Sequence, residues 1–411
     1  MSEDTPEKGR PMTNKPSIKQ PTILRPPDKG PKDNSIDLPV MDSYDYQPQV
    51  DVPEEPKATA LEDEFECAVK MAFVGAGQGG GRIAQAFWDL GYRKVIAVNT
   101  TEQDLEPLDM EESHKLLIGN DRGGAGKDPE QGRLAAEESF EDLMDLMMRK
   151  FGEGVEMLYV CVGAGGGSGT GSWPVVMKAL REYAKSTNIE KPIYKHLGVI
   201  MTLPKRSEGS RVQRNALAAV EHALDQVQKG NISSLVLVDN ARIHELYPRL
   251  PVKQFWTVAN RNFAGVLHTF NLLAARNSEY NTFDRADLRS VIQEGIMIFG
   301  TTTVHEWMGK EDISKAVRQN LKGTLLAEGF DLALATVAGA IVVAHDDVLS
   351  EIPMENIDYA FNSLGRALGN EGVTLHNGIY EGAAEGMRVF TIVGGLHPPQ
   401  ERIDELKELT S

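Results

Sequence analysis

Cys67 and Cys161 are the only cysteines in the 411-residue chain, and they stand far apart. That excludes a disulfide framework and a CxxC metal half-site, and makes a reducing cytoplasm the expected compartment. The longest apolar stretch, Leu332 to Ala344, is too short to span a bilayer. The opening residues, MSEDTPEKGRPMTNK, lack the apolar segment of a secretory leader. A soluble, unexported protein with no transmembrane segment is therefore expected. Positive charge is also scarce: 43 Lys and Arg stand against 60 Asp and Glu, a formal net charge of −17. Direct nucleic-acid binding is not expected of so acidic a chain, nor is binding to an anionic membrane. None of the nine histidines falls at a ligand spacing such as HExxH, so no dedicated metal site is expected.

Large apolar residues are few in residues 1–66, which instead hold 11 of the 21 prolines. Such a segment cannot bury enough surface to fold and reads as a disordered tail. Its charges are segregated, with seven basic against five acidic residues in 1–33 and one against ten in 34–66. The tail carries −7 of the net charge and the body −10.

From Val69 onward, short apolar runs alternate with helical periodicity, the pattern of βα units and a parallel sheet covered on both faces. Strands are expected at Met71 to Val74, Val95 to Val98, Met157 to Val162, Gly198 to Met201 and Leu235 to Val238. Phe255, Ala259, Phe263, Val266, Phe270 and Leu273 then recur every ~3.6 residues, which predicts one long helix over about 251–276. Beyond residue 277 the texture becomes α+β, with strands expected at Ile341 to Ala344, Val373 to His376 and Met387 to Val393. Asn377-Gly378 reads as a hairpin turn between two of them. The expected organisation is a nucleotide-binding α/β domain over 67–276, an α+β domain over 277–397 and a short charged tail over 398–411.

Three glycine-rich loops carry the chemistry. The first, VGAGQGGGR (74–82), joins a strand to a helix, and Gly75, Gly77 and Gly80 satisfy GxGxxG. A Rossmann dinucleotide site also needs an acidic residue at the end of the next strand, where this chain has Asn99, so NAD is disfavoured. The second, CVGAGGGSGTGSWP (161–174), places six glycines within nine residues before a helix, with Pro174 suited to its first turn. Successive N–H groups of Gly165, Gly166, Gly167, Gly169 and Gly171 can turn inward as an anion nest, with Ser168 and Thr170 adding hydroxyls. A tight turn built for close packing is the plainer reading, although turns rarely need so many glycines. The third loop, RGGAGKDPEQGR (122–133), supplies Gly124, Ala125 and Gly126. Neither a GxxxxGK[ST] nor a GxSxG motif is present. Three such loops at neighbouring strand ends describe a polyphosphate cradle.

GGGSGTGSWPVV (165–176) resembles the signature of the tubulin/FtsZ superfamily of assembling GTPases, and the resemblance runs in order over roughly residues 69–396. VGAGQGGGRIAQAFWDL is similar to the family's first nucleotide loop, with Gln78 where tubulins have a phosphate-side Gln, beside Gly79. VIAVNTTEQDL resembles the second loop of FtsZ, and RGGAGKDPEQGRLAAEES the γ-phosphate-sensing loop. LVDNARI resembles the base-contacting loop, which makes Asn240 the implied purine ligand. Trp256 and Asn260, one turn apart on the long helix, match the family's aromatic and Asn. There the ring can stack on a purine and the amide can hydrogen-bond its edge. On spacing alone a core Trp beside a solvated Asn is the commoner arrangement.

NTFDRADLRSVI (281–292) resembles the loop that, in this superfamily, reaches the nucleotide of the neighbouring subunit. Asp284 and Asp287 stand at its two acidic positions and are the implied catalytic residues. Helix physics alone reads them as an N-cap and an N3 carboxylate. The resemblance implies GTP or GDP with Mg²⁺ as ligands, head-to-tail self-assembly into filaments, and hydrolysis at the subunit interface. The chain departs from FtsZ at Arg82, where FtsZ has Asn, and at Arg261, where FtsZ has Asp. With Asn240 and Asn260 both present, as in tubulins, GTP is expected over ATP. EGSR (208–211) is one residue shorter than the EGxxR of FtsZ, and the segment around Glu208 is closer to archaeal CetZ. No long linker follows Leu396; the extension lies at the N-terminus, either as a solubilising segment or as an adaptor-binding arm. The cellular role expected is positioning DNA, shaping cells or organising cargo rather than standard cytokinesis. A structural filament with little hydrolysis and a Rossmann oxidoreductase are the alternative readings.

Overall fold

The computed structural model describes residues 65–119, 123–246, 252–323, 326, 329–369, 372–382 and 386–410. The expected tail through residue 64 lies outside these. Phe65, assigned to that tail from sequence, instead packs edge-on against Tyr92 and His268, each with ring centroids 4.8 Å apart.

Short runs of β-branched and aliphatic residues make the first six strands, β1 (Met71–Ala76), β2 (Val95–Asn99), β3 (Lys115–Leu117), β4 (Met157–Gly163), β5 (Leu197–Leu203) and β6 (Ser234–Asp239). In β1, β2, β5 and β6 every residue is buried, as expected of a parallel sheet covered on both faces. The intervening helices are α1 (Gly77–Asp89), α2 (Glu102–Leu105), α3 (Pro129–Glu138), α4 (Phe140–Phe151), α5 (Ser168–Ser186), α6 (Ser210–Gln228) and α7 (Asn240–Leu246). The long helix is α8 (Val252–Leu273), and all six residues of its predicted apolar stripe are buried. Asn271 on α8 exchanges hydrogen bonds with the backbone of Val69 at 2.8 and 3.0 Å, anchoring the chain just before β1.

The second half contributes α9 (Arg285–Ile292), β7 (Gly295–Val304), α10 (Asp312–Gly323), β8 (Val337–Ala344), α11 (Asp346–Glu351), α12 (Met354–Leu368), β9 (Thr374–Glu381), β10 (Met387–Leu396) and α13 (Gln400–Glu408). Its strands continue the same sheet, whose order is β3-β2-β1-β4-β5-β6-β7-β10-β8-β9. The seam between the halves is short: β6 and β7 pair in parallel only at Ser234 with Gly295 and Leu235 with Ile296.

Three local expectations fail. Asn377 and Gly378 do not form a hairpin turn: they lie inside β9, which pairs in parallel with β8 along all its length. The glycine there serves close approach, since a Cβ would lie 2.9 Å from the Cβ of Phe283. Pro174 is inside α5 rather than in its first turn, because the glycine-rich segment itself coils into the helix from Ser168. Residues after Leu396 are not a mere charged tail, because α13 packs back on α6, with Arg402, Ile403 and Leu406 buried.

Candidate nucleotide site

The strand order reverses between β1 and β4, whose successors run outward in opposite directions. Such a switch point opens a crevice beyond the carboxyl ends of the two strands. Both exits are filled by glycine loops that lead into α1 and α5, and neither helix has a capping side chain at its N-terminus. First-turn N–H groups have no partner within a helix, and the dipole favours an anion there.

Much of the glycine content serves to bring the loops together. A Cβ on Gly80 would lie 2.1 Å from the carbonyl oxygen of Cys161, and one on Gly79 2.9 Å from the Cα of Gly163. Gly77 adopts φ 70°, and a Cβ there would lie 2.5 Å from the nitrogen of Gly169. Gly167 packs on Ala125 and Asp128, and Gly171 sits against the carbonyl of Pro129. The close-packing reading thus accounts for most positions. Gly166, Gly124 and Gly126 are different, since a Cβ on any of them would meet nothing within 4 Å. They border open space on the loops that lean against each other. Gly165, at φ 109°, packs against Val212 of α6.

Polar side chains tie these loops into one unit. Thr170 accepts a hydrogen bond from the Gly165 N–H at 3.0 Å, and Ser168 is 2.6 Å from the hydroxyl of Thr100. Gln78 donates to Asp104 at 2.7 Å, and Asn99 donates to the other oxygen of the same carboxylate at 3.1 Å. Asp104, Thr100 and Asn215 were not picked out from the sequence. Asn215 on α6 donates to the carbonyls of Lys127 and Gly165, at 3.0 and 3.1 Å, and so clips the third loop to the second. No motif marks it. Arg122, at the head of the third loop, lies outside the described residues.

On the opposite flank, Asn240 opens α7 and is buried, as is Asn260 on α8. Trp256 is half-buried with two cations near its ring: the Arg82 guanidinium is 5.7 Å and the Lys205 ammonium 5.6 Å from the ring centroid. Arg82 thus stands beside the aromatic residue rather than at the glycine turn. Glu208 is exposed and accepts the Lys205 N–H at 2.9 Å.

Asp284 and Asp287 form a reciprocal capping box on α9, so the helix reading of the pair holds. Asp287 is also 2.7 Å from Nδ1 of His376 on β9, whose Nε2 is 3.0 Å from the hydroxyl of Ser290. The structure does not bring these carboxylates to the cradle of their own chain. Arg285 pairs with Glu156, the residue before β4, so α9 begins at the amino ends of the strands whose carboxyl ends carry the glycine loops. The seven residues of β4 separate the two ends by roughly 20 Å. Among the described residues no group of three or more His, Cys, Asp and Glu is placed to hold a metal ion, and no helix is long and apolar enough to cross a membrane.

Comparison with known proteins agrees with this geometry. Residues 70–248 match the Tubulin/FtsZ family, GTPase domain. Cell division protein FtsZ 1 of Pyrococcus woesei is 29% identical over 324 residues, covering 76% of this chain and 79% of that protein. A GTPγS-form protofilament of TubZ from Bacillus thuringiensis serovar israelensis superposes with a TM-score of 0.69 at 19% identity, over 84% of this chain and 92% of that one. The GTPγS-bound protofilament of CetZ2 from Haloferax volcanii gives 0.68 at 22% identity, over 83% and 98%. Residues 70–248 thus carry the match to the Tubulin/FtsZ GTPase domain, and the chain as a whole is similar to FtsZ proteins and shares the fold of TubZ and CetZ2.

Proposed function

We propose that the chain binds GTP in the cradle between β1 and β4, stacks head to tail into filaments, and hydrolyses GTP where two subunits meet. The observation that carries the reading is the separation of cradle and carboxylates to opposite ends of the same strands. A site split in this way is completed only by a second copy, and a heterologous contact that does not close produces a filament.

The glycine-loop N–H groups around Gly166, with Ser168 and Thr170, hold the phosphates. Asn240 and Asn260 read the purine edge, and Trp256 offers its ring beside the base. The carboxylates of Asp284 and Asp287 from the next subunit orient water toward the γ-phosphate, a role typically worth about 10²- to 10⁴-fold in rate. Mg²⁺ fits as an ion carried by the nucleotide and would neutralise phosphate charge there, since it is commonly held by phosphates with few protein ligands. The protofilaments of the CetZ2 and TubZ neighbours support self-assembly as the partner interaction. The cytoplasm is the proposed compartment. The test is phosphate release against protein concentration at saturating GTP. We expect a rise steeper than linear, with Asp287→Ala filaments that persist because they hydrolyse slowly. A rate strictly proportional to concentration overturns the shared site.

A further inference from the structure

The loops on the base side are held by more than their strands. Asp239, which precedes Asn240, is buried, and its carboxylate receives Arg402 of α13, Nε to Oδ2 at 2.9 Å and Nη2 to Oδ1 at 3.4 Å. Both side chains are only 2% exposed. The same Nη2 donates to the carbonyl of Pro204 at 2.8 Å, and Nη1 donates to Glu405 at 2.8 Å. One guanidinium therefore joins the end of β6, the loop after β5 and α13, segments up to 198 residues apart in sequence.

Each of the first two segments carries a residue of the proposed base side. Oδ1 of Asp239 accepts the Ala241 N–H at 2.9 Å, which sets the first turn of α7 and with it Asn240. Pro204 is followed by Lys205, whose ammonium lies 4.3 Å from the Phe255 ring centroid and 5.6 Å from that of Trp256. Burial pushes the Asp239 carboxyl up from its usual range, and Arg402 opposes that push. Simple docking of α13 is already served by buried Ile403 and Leu406. A buried ion pair carries a desolvation cost that apolar packing avoids, and its attested use is to fix register. Outside it, Arg206 bridges Glu405 and Glu245, extending the tie to the far end of α7.

We propose that α13 is part of the nucleotide site, with Arg402 as a positioning residue that sets Asn240 and Lys205 against the base. The proposal rests on the reading that the cradle binds a guanine nucleotide. Coupling of this kind is reciprocal, so nucleotide bound at Asn240 stiffens α13. The test uses the full chain at low concentration with a fluorescent GDP derivative, alongside hydrogen exchange with and without GDP. In the wild type, GDP slows exchange across residues 400–408. Arg402→Lys keeps the charge but loses the planar fork, and binds the probe about tenfold more weakly while still melting cooperatively. Glu405→Gln, at a partly exposed position, weakens binding about threefold. Unchanged affinity in both folded variants, or exchange across 400–408 indifferent to GDP, makes α13 a packing element only and overturns the proposal. Failure of the wild type to bind the probe overturns the nucleotide reading itself, and this proposal with it.

Discussion

His268 on α8 is buried beneath Phe65 and Tyr92, and burial lowers its pKa from 6.5 to about 4. The unfolded chain takes up a proton near pH 6.5 that the native chain refuses until near pH 4. Stability from this group is thus fully present above the unfolded value and is lost as pH falls through that window, by about 3 kcal/mol at most. Urea unfolding followed downward from about pH 7 should show this loss, and His268→Gln should make the slope shallower. His376 acts at the same scale. Its contact fixes the Asp287 carboxylate, so His376→Ala should slow GTP hydrolysis about tenfold through lost orientation while assembly, followed by light scattering, proceeds. The DxxD pattern was legible because both carboxylates sit within four residues of one helix start. His376 was not, because nothing local links a histidine on β9 to a helix nearly ninety residues earlier.

Among elements, the packing of α3 on α5 decides whether the cradle holds its form. A Cβ on Gly171 would lie 1.8 Å from the Pro129 carbonyl oxygen, so Gly171→Ala should force the helices apart. A destabilisation of about 1–3 kcal/mol is expected, measured by chemical denaturation, with a larger proportional loss of nucleotide affinity. Five of the six strands in the first half were read from sequence because parallel strands buried on both faces leave continuous apolar runs; β3, three half-buried residues, was not. β7 was missed, as GIMIFGTTTV turns polar halfway along. β9 was cut short by an Asn-Gly pair whose glycine answers to the Phe283 side chain rather than to a turn. α13 is short and mostly charged, with only Ile403 and Leu406 as its buried apolar residues, and the partners of its buried Arg402 lie far away in sequence. The glycine loops, whose meaning is local, were the most legible part of the site; Asn215 and Asp104, which tie those loops together, were the least.

For the whole molecule, the decisive feature is that cradle and carboxylates occupy opposite ends of one sheet, so in the proposed function activity belongs to a pair of subunits. Mixing two defective variants tests this directly. Gly166→Asp places a negative charge where a Cβ meets only open space, which spares the fold but repels phosphate. Asp287→Ala keeps the cradle and loses the carboxylate. Each variant alone should release little phosphate from GTP. Mixed, the intact cradle of one meets the intact α9 of the other, and phosphate release should rise well above the sum of the separate rates. A mixture no more active than that sum would contradict a site shared between subunits.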